Sequence, residues 1–398
     1  MLNTKYSPWP SFTEEEAEAA ARVIRSNRVN YWTGEEGRAF EREFAAWAGV
    51  PHAIALANGT VALDLALHGL GIGAANGGSA SDEVVVTPRS FIASISCVVN
   101  AGAVPVFADV DVESGNISAE TIAAVVGPCT RAVIPVHLGG WPCDLDPIME
   151  LARQHGLKVI EDCAQAHGAR YKERAVGSIG DVGAWSFCQD KIMTTGGEGG
   201  MVTTRDPALW SRMWSFKDHG KNFDAVYKRE HPPGFRWLHE SFGTNWRMLE
   251  VQAAIGRIQL QRMDDWSRRR RANCERIWQT ARQFALFRVP EIPEGYLHAA
   301  YRSYVYVRSE RLAPGWTRDR IVAEINARGV PCYTGSCSEV YREKAFDGTG
   351  WRPEKPLATS VGLGETSVMF LVHPTLTEGE MAATCAALAD VASLAAAR

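Results

Sequence analysis

Lys191 stands between an apolar segment and a glycine cluster. The run Ser186-Phe187-Cys188-Gln189-Asp190-Lys191 leads through Thr194-Thr195 into Gly196-Gly197-Glu198-Gly199-Gly200. Upstream, Val159-Ile160-Glu161-Asp162 reads as an apolar strand ending in two carboxylates. On a strand, adjacent side chains face opposite ways, so the two acids are not expected to share one role. A lysine amine forms a Schiff base with an aldehyde, and a carboxylate facing a pyridine nitrogen keeps that nitrogen protonated. Lys191 with Asp162 is therefore the minimum equipment for pyridoxal phosphate (PLP) chemistry. Singly, each has a plainer explanation: most lysines lie on the surface, and a carboxylate at a strand end commonly caps the next helix.

Asn58-Gly59-Thr60 lies between a strand pattern and a helix pattern. Free N–H groups at a helix N-terminus bind phosphate, and a glycine lets backbone approach closely. By itself this turn is a weak signal. Lys191, shielded in a site beside a cationic ring, is expected to lose part of its preference for the charged form. His219, His137 and His373 are candidates for acid–base or substrate contact, with His219 ranked first because Gly220 follows it in a long loop; a lone histidine is more often structural. Phe91 is aromatic and suits stacking on a planar ring, although alone it reads as a core residue.

The surrounding pattern supplies the scaffold. Thr13-Glu14-Glu15-Glu16 opens a helix over 13–26, and Phe40, Phe44 and Trp47 recur at helical spacing over 35–48. Alternation follows: strands at 53–57, 83–87, 104–107, 132–136 and 157–160, with helices at 61–70, 90–101, 118–126 and 144–155. Apolar strands alternating with helices predict a mostly parallel sheet covered on both faces, with ligands at the carboxyl ends of the strands. The segment 74–81 reads as a flexible surface insert, and 217–247 as a long functional loop. A long helix over 249–284, a strand at 304–307 and a helix at 317–328 predict a smaller α+β unit. The boundary is placed so that residues 1–250 form the large domain and 251–398 the small one.

With 398 residues, 42 basic and 46 acidic, the chain carries a formal charge of −4, which gives no general pull toward nucleic acid or an anionic membrane. The run Arg268–Arg271 reads as a solvated helix face. No apolar stretch suits a membrane span, and Met1–Lys5 lacks the apolar core of a signal segment, so a cytoplasmic protein is expected. The nine cysteines form no C-x-x-C pair; neither a disulfide framework nor a metal site is expected.

Taken in order, these segments resemble the DegT–StrS group of nucleotide-sugar aminotransferases, which have fold type I. The resemblance is carried by Tyr31-Trp32-Thr33-Gly34, Asn58-Gly59-Thr60, Pro105–Asp111, Ile134–Gly140, Glu161-Asp162-Cys163-Ala164-Gln165, Gly177–Asp181, Ser186-Phe187 with Lys191, Gly197–Gly200 and Gly243–Met248. It implies Lys191 as the Schiff-base lysine and proton shuttle, Asp162 as the pyridinium partner, and Gln165 beside the ring hydroxyl. It further implies Gly59, Thr60 and Ser186 on the phosphate, Phe91 stacked on the ring, and Asn245 crossing from a second subunit of a homodimer to the phosphate. Trp32, His219 and His373 are expected to contact substrate. Asn58 stands where the family usually has serine, and its side chain still hydrogen-bonds. The stretch from Asn222 to Phe242 is long for the family. The implied reaction moves an amine, with L-glutamate as donor, to a nucleotide-linked 4-keto-6-deoxy sugar destined for O-antigen or a related glycan. Amination at carbon 3 and a non-catalytic PLP-binding regulator are the alternatives; a dehydratase fits less well because Lys191 is intact.

Overall fold

The computed structural model describes residues 5–397; Met1–Thr4 and Arg398 lie outside the described residues, and with them most of the N-terminal stretch read above for a leader. Strands β1 (His52–Leu56), β2 (Glu83–Val86), β3 (Val104–Phe107), β4 (Thr130–Ile134) and β5 (Lys158–Asp162) come first. A short ribbon of β6 (Arg170–Tyr171) and β7 (Arg174–Ala175) precedes β8 (Val182–Ser186) and β9 (Gly200–Thr204). The second half adds β10 (Phe287–Arg288), β11 (Tyr296–Leu297), β12 (Ser303–Val307), β13 (Cys332–Tyr333) and β14 (Ser367–Phe370).

Seven of these strands form the central sheet, in the order β1-β9-β8-β5-β4-β2-β3. From β3 to β8 neighbouring strands run parallel; β9 is antiparallel to β8, and β1 to β9. The α/β architecture expected from the alternating pattern is the one observed. Side chains alternate across the pleat. Val84 and Val86 pack with Leu65 and Val98 on one face, while Val85 packs with Val133, Ile148 and Val159 on the other. Helices on both faces explain why these strands read as continuous apolar runs, each buried Val or Leu contributing about 1.5–3 kcal/mol.

Helix ends follow local chemistry. Thr13 and Glu16 form the capping box that opens Glu14–Arg25. Asn58 caps Gly59–Leu70 by accepting from the Val61 N–H at 3.0 Å. The segment 74–81 is more ordered than its composition suggests. Asp82 is buried and accepts from the Gly73 and Ser79 N–H groups, which organises the insert around one carboxylate.

A second, antiparallel sheet has the order β10-β12-β14-β13. The helix Glu250–Arg282 spans both cores. Its Ala253, Leu260 and Met263 pack with Phe40, Phe44 and Phe187, whereas Cys274, Ile277 and Ala281 pack with Val305 and Phe370. The expected boundary near residue 250 thus falls at the start of a helix whose first half packs with the larger unit. Among the described residues, no helix is long and apolar enough to cross a membrane.

Candidate active site

The carboxyl ends of β5 and β8, the turn after β1 and the start of β12 converge on a cavity of about 770 Å³. It is lined by Lys191, Asp162, Gln165, Ser186, Phe91 and the turn Asn58-Gly59-Thr60, the eight positions assigned above to a cofactor apart from Asn245.

Strand β5 separates its two acids as the pleat requires. Glu161 turns away from the cavity and accepts from the Gly177, Ile179 and Gly180 N–H groups at 2.7–2.8 Å and from His137 Nε2 at 3.1 Å. Because His137 Nδ1 accepts from the Cys143 N–H at 2.9 Å, its proton sits on Nε2, facing Glu161. Burial alone would raise the Glu161 pKa, but His137 and these N–H groups outweigh it and hold the carboxyl below its usual range. His137 is therefore a structural partner of the strand end. Asp162 faces the cavity. It accepts from Ser94 Oγ at 2.8 Å and the Ala164 N–H at 3.1 Å. Burial pushes its pKa up despite Ser94, Ala164, Lys191 and His137. A buried carboxylate with that shift lacks a full cationic partner, the charge that a protonated pyridine nitrogen supplies.

Gln165 Oε1 accepts from the Gly139 N–H at 2.8 Å, which leaves its amide N–H groups free to donate. Gly139 has φ +64, a conformation that favours glycine, and a Cβ there would lie 3.0 Å from the Tyr304 ring. Opposite, the first-turn N–H groups of Gly59–Leu70 have no intrahelical partners and lie beside Ser186. A Cβ on Gly59 would come within 2.5 Å of Ser186 Cβ and 2.9 Å of its Oγ. These residues fit PLP: an acid for the ring nitrogen, a lysine for the aldehyde, and backbone donors with a hydroxyl for the phosphate. Gly59→Ala is expected to push helix and strand end apart, costing about 1–3 kcal/mol of stability and at least tenfold in PLP affinity. Thermal unfolding and PLP titration check this, and adding Ser186→Gly should recover most of the stability but not the PLP affinity, because it removes the hydroxyl assigned to the phosphate.

Lys191 is mostly buried and its Nζ lies 3.5 Å from Asp190 Oδ1. Burial lowers its pKa, but Tyr301, Asp190, Cys188 and Asp162 outweigh burial and the net shift is upward. Without a cationic ring beside it, the amine is surrounded by two carboxylates, a thiol and a phenol; the expected loss of its preference for the charged form concerns the PLP-loaded site. Trp9 Nε1 donates to the Lys191 carbonyl at 2.7 Å and so fixes its backbone from behind.

The remaining assigned residues lie outside this cavity. Trp32 Nε1 points at Asp218 Oδ1 at 3.4 Å, and its ring stacks on Tyr227. His219 is exposed at φ +60, with its N–H on the Thr244 carbonyl. Asn245 is exposed and bridges to Asp218. These three gather around buried Asp218, which also receives Arg247 at 2.6 Å and Lys221 at 3.2 Å. His373 is buried against Trp9, its Nδ1 used by Thr375 Oγ1 at 2.8 Å, so no substrate reaches it without unpacking this contact.

Sequence reasoning missed Asp190, Tyr301 and Arg302 in the cavity, and His167 beneath it. His167 is fully buried, packs on Trp185 and Phe187, and has no hydrogen-bond partner at either nitrogen among the described residues. Burial lowers the pKa of His167, His298 and His373 to about 3 each. The folded state then stays neutral where the unfolded state, near 6.5, binds protons. This contribution is complete above pH 6.5 and is lost as pH falls toward 3. Each of the three should cost about 2 kcal/mol at pH 5. Urea unfolding at pH 7.5 and pH 5 measures this, and His167→Phe should lose about 2 kcal/mol less than the parent between them.

The profile of the DegT/DnrJ/EryC1/StrS aminotransferase family matches residues 10–389. The chain belongs to that family. An aminotransferase from Psychrobacter cryohalolentis, solved by X-ray crystallography, is 60% identical with a TM-score of 0.95, covering 98% of this chain and 99% of its own. GDP-perosamine synthase from Caulobacter vibrioides is 38% identical over 304 residues, 75% of this chain and 76% of that protein. UDP-N-acetyl-3-dehydro-alpha-D-glucosamine 3-aminotransferase from Acidithiobacillus ferrooxidans is 37% identical over 305 residues, 76% and 74% of the two chains. As a DegT/DnrJ/EryC1/StrS member the chain is an aminotransferase, its fold is type I, and its cofactor is PLP.

Proposed function

We propose that this aminotransferase moves an amino group from L-glutamate to a nucleotide-linked 4-keto-6-deoxy sugar, for a surface polysaccharide or related glycan. It would act in the cytoplasm as a homodimer, with Asn245 reaching the phosphate of the other subunit. The observation that carries the reading is the cavity, which gathers Lys191, Asp162, Gln165 and the Asn58-Gly59-Thr60 turn around one space while leaving room beyond them for an acceptor. The names of the Caulobacter and Acidithiobacillus relatives support a nucleotide-sugar acceptor. The second of these names favours amination at carbon 3 as the alternative. A purely regulatory role fits poorly, because ligand binding alone needs neither a buried acid for the ring nitrogen nor a reactive lysine.

When bound, PLP supplies an aldehyde for the donor amine and a ring that accepts electrons from the carbon losing its proton. Asp162 holds the ring nitrogen's proton and so maintains that capacity. Gln165 donates its amide N–H toward the ring hydroxyl, oriented by Gly139. Ser186 and the helix N-terminus would hold the phosphate, and Phe91, exposed at the cavity wall, would stack on the ring. Lys191 Nζ would hold the aldehyde at rest and, once freed from it, would carry the proton between carbon centres.

The test is to incubate the PLP-loaded enzyme with L-glutamate and a panel of GDP-, dTDP- and UDP-linked 4-keto and 3-keto sugars, weighing products by mass spectrometry. A mass change for replacement of the keto oxygen by an amine on a 4-keto member supports the reading. Exclusive amination of a 3-keto member favours the alternative. Turnover of glutamate with no aminated sugar in the panel would refute both.

A further inference from the structure

We infer that Asp190, clamped by Tyr301 and Arg302, is the counter-ion that keeps the free ε-amine of Lys191 charged and aimed into the cavity, loaded with the proton it delivers. Asp190 Oδ1 lies 3.5 Å from Lys191 Nζ, while Oδ2 accepts from the Tyr301 O–H at 2.5 Å. Arg302 Nη2 lies 3.9 Å from Oδ2 and donates to Tyr301 Oη at 3.3 Å. The Arg302 guanidinium sits over the Tyr301 ring at 4.2 Å, and the Tyr301 N–H is fixed on the Gly139 carbonyl at 3.0 Å. Asp190 comes from the loop after β8, whereas Tyr301 and Arg302 lead into β12, so the clamp joins the two sheets beside the reactive nitrogen.

The other groups around Lys191 are committed elsewhere or neutral. Asp162 is held by Ser94 and the Ala164 N–H and faces the ring nitrogen's place. Cys188 Sγ points at Glu198 Oε1 at 3.7 Å. His167, below the lysine, stays neutral. Arg270 is turned toward the Tyr301 carbonyl and the Trp9 ring. Asp190 is the carboxylate left to serve the amine. Burial would raise its own pKa, but Lys191, Tyr301 and Arg302 outweigh burial and keep it ionised.

The step balances without a further reactant. The proton leaves Nζ for the substrate carbon, Nζ becomes a neutral amine, and Asp190 stays a carboxylate throughout. The return of the proton reverses this. Asp190 acts through Lys191 and is a positioning residue; the inference rests on Lys191 being the lysine that binds PLP.

Competitive acetylation of the PLP-free protein, with the Lys191 peptide quantified by mass spectrometry across pH, reads the charge state of this amine directly. In Asp190→Asn the pH of half-maximal reactivity should fall by about one unit or more. Tyr301→Phe should shift it the same way by less, and Asp190→Glu, which keeps the charge, should restore most of it. The pH titration of the loaded enzyme's visible absorbance should also differ between Asp190→Asn and the parent. An unchanged acetylation midpoint in Asp190→Asn, with borohydride still fixing PLP on residue 191, would overturn the inference alone. Borohydride labelling of another lysine in the parent would overturn the assignment of Lys191 and this inference with it.

Discussion

Lys191→Ala should fold, bind PLP weakly and lose transamination by on the order of 10⁴-fold. The substitution removes the covalent tether and the proton carrier together. It leaves Asp162, Gln165 and the phosphate turn in place, because the cavity is built from strand ends and a helix N-terminus that do not depend on this side chain. Its backbone stays fixed by Trp9. Product formation from glutamate and a keto-sugar, together with visible absorbance before and after dialysis, measures both effects. Turnover within tenfold of the parent would mean that another group does the chemistry.

The second large effect belongs to Asp162. In Asp162→Asn the side chain keeps its size and the acceptor for the Ala164 N–H, its amide N–H turns to donate to Ser94 Oγ, and the charge that faces the ring nitrogen is lost. Removing one member of a buried charge pair costs about 2–5 kcal/mol, or roughly 30- to 5,000-fold in rate at 1.36 kcal/mol per tenfold. The loss should fall on kcat more than on KM, since the pair matters most while the ring takes up electrons. A loss confined to KM would reassign Asp162 to substrate binding. Asp162→Asn also removes a carboxyl whose charged form burial disfavours, so it is expected to be at least as stable as the parent before PLP is added.

How much of this was legible in the sequence depends on the range of the interaction. The apolar strands and their intervening helices are local patterns, and so is the division of labour between Glu161 and Asp162, which follows from the two-residue period of a strand. The turn Asn58-Gly59-Thr60 is local too, but its partner Ser186 is set beside it by sheet order: β9 lies between β1 and β8. The resemblance to relatives, not the spacing, joined those pieces. Asp190 was in plain view beside Lys191, yet nothing in a linear reading marks it, because what makes it matter is Tyr301, more than a hundred residues away in sequence. His373 is the converse case. A histidine among polar neighbours looks available, and only packing shows its ring against Trp9. Trp32, His219 and Asn245 form a single cluster around Asp218, a grouping that no periodicity announces.

The strand that presents Asp162 also carries an evolutionary constraint. Inserting or deleting one residue within β5 would exchange its two faces, burying the aspartate among the N–H groups that now satisfy Glu161 and exposing the glutamate in its stead. Because a longer side chain would then occupy the place tailored to the shorter one, neither post would be properly manned. Length changes in this lineage should therefore accumulate in surface segments such as 74–81 or 222–242, while the reading frame of β5 stays fixed even as its individual apolar side chains drift.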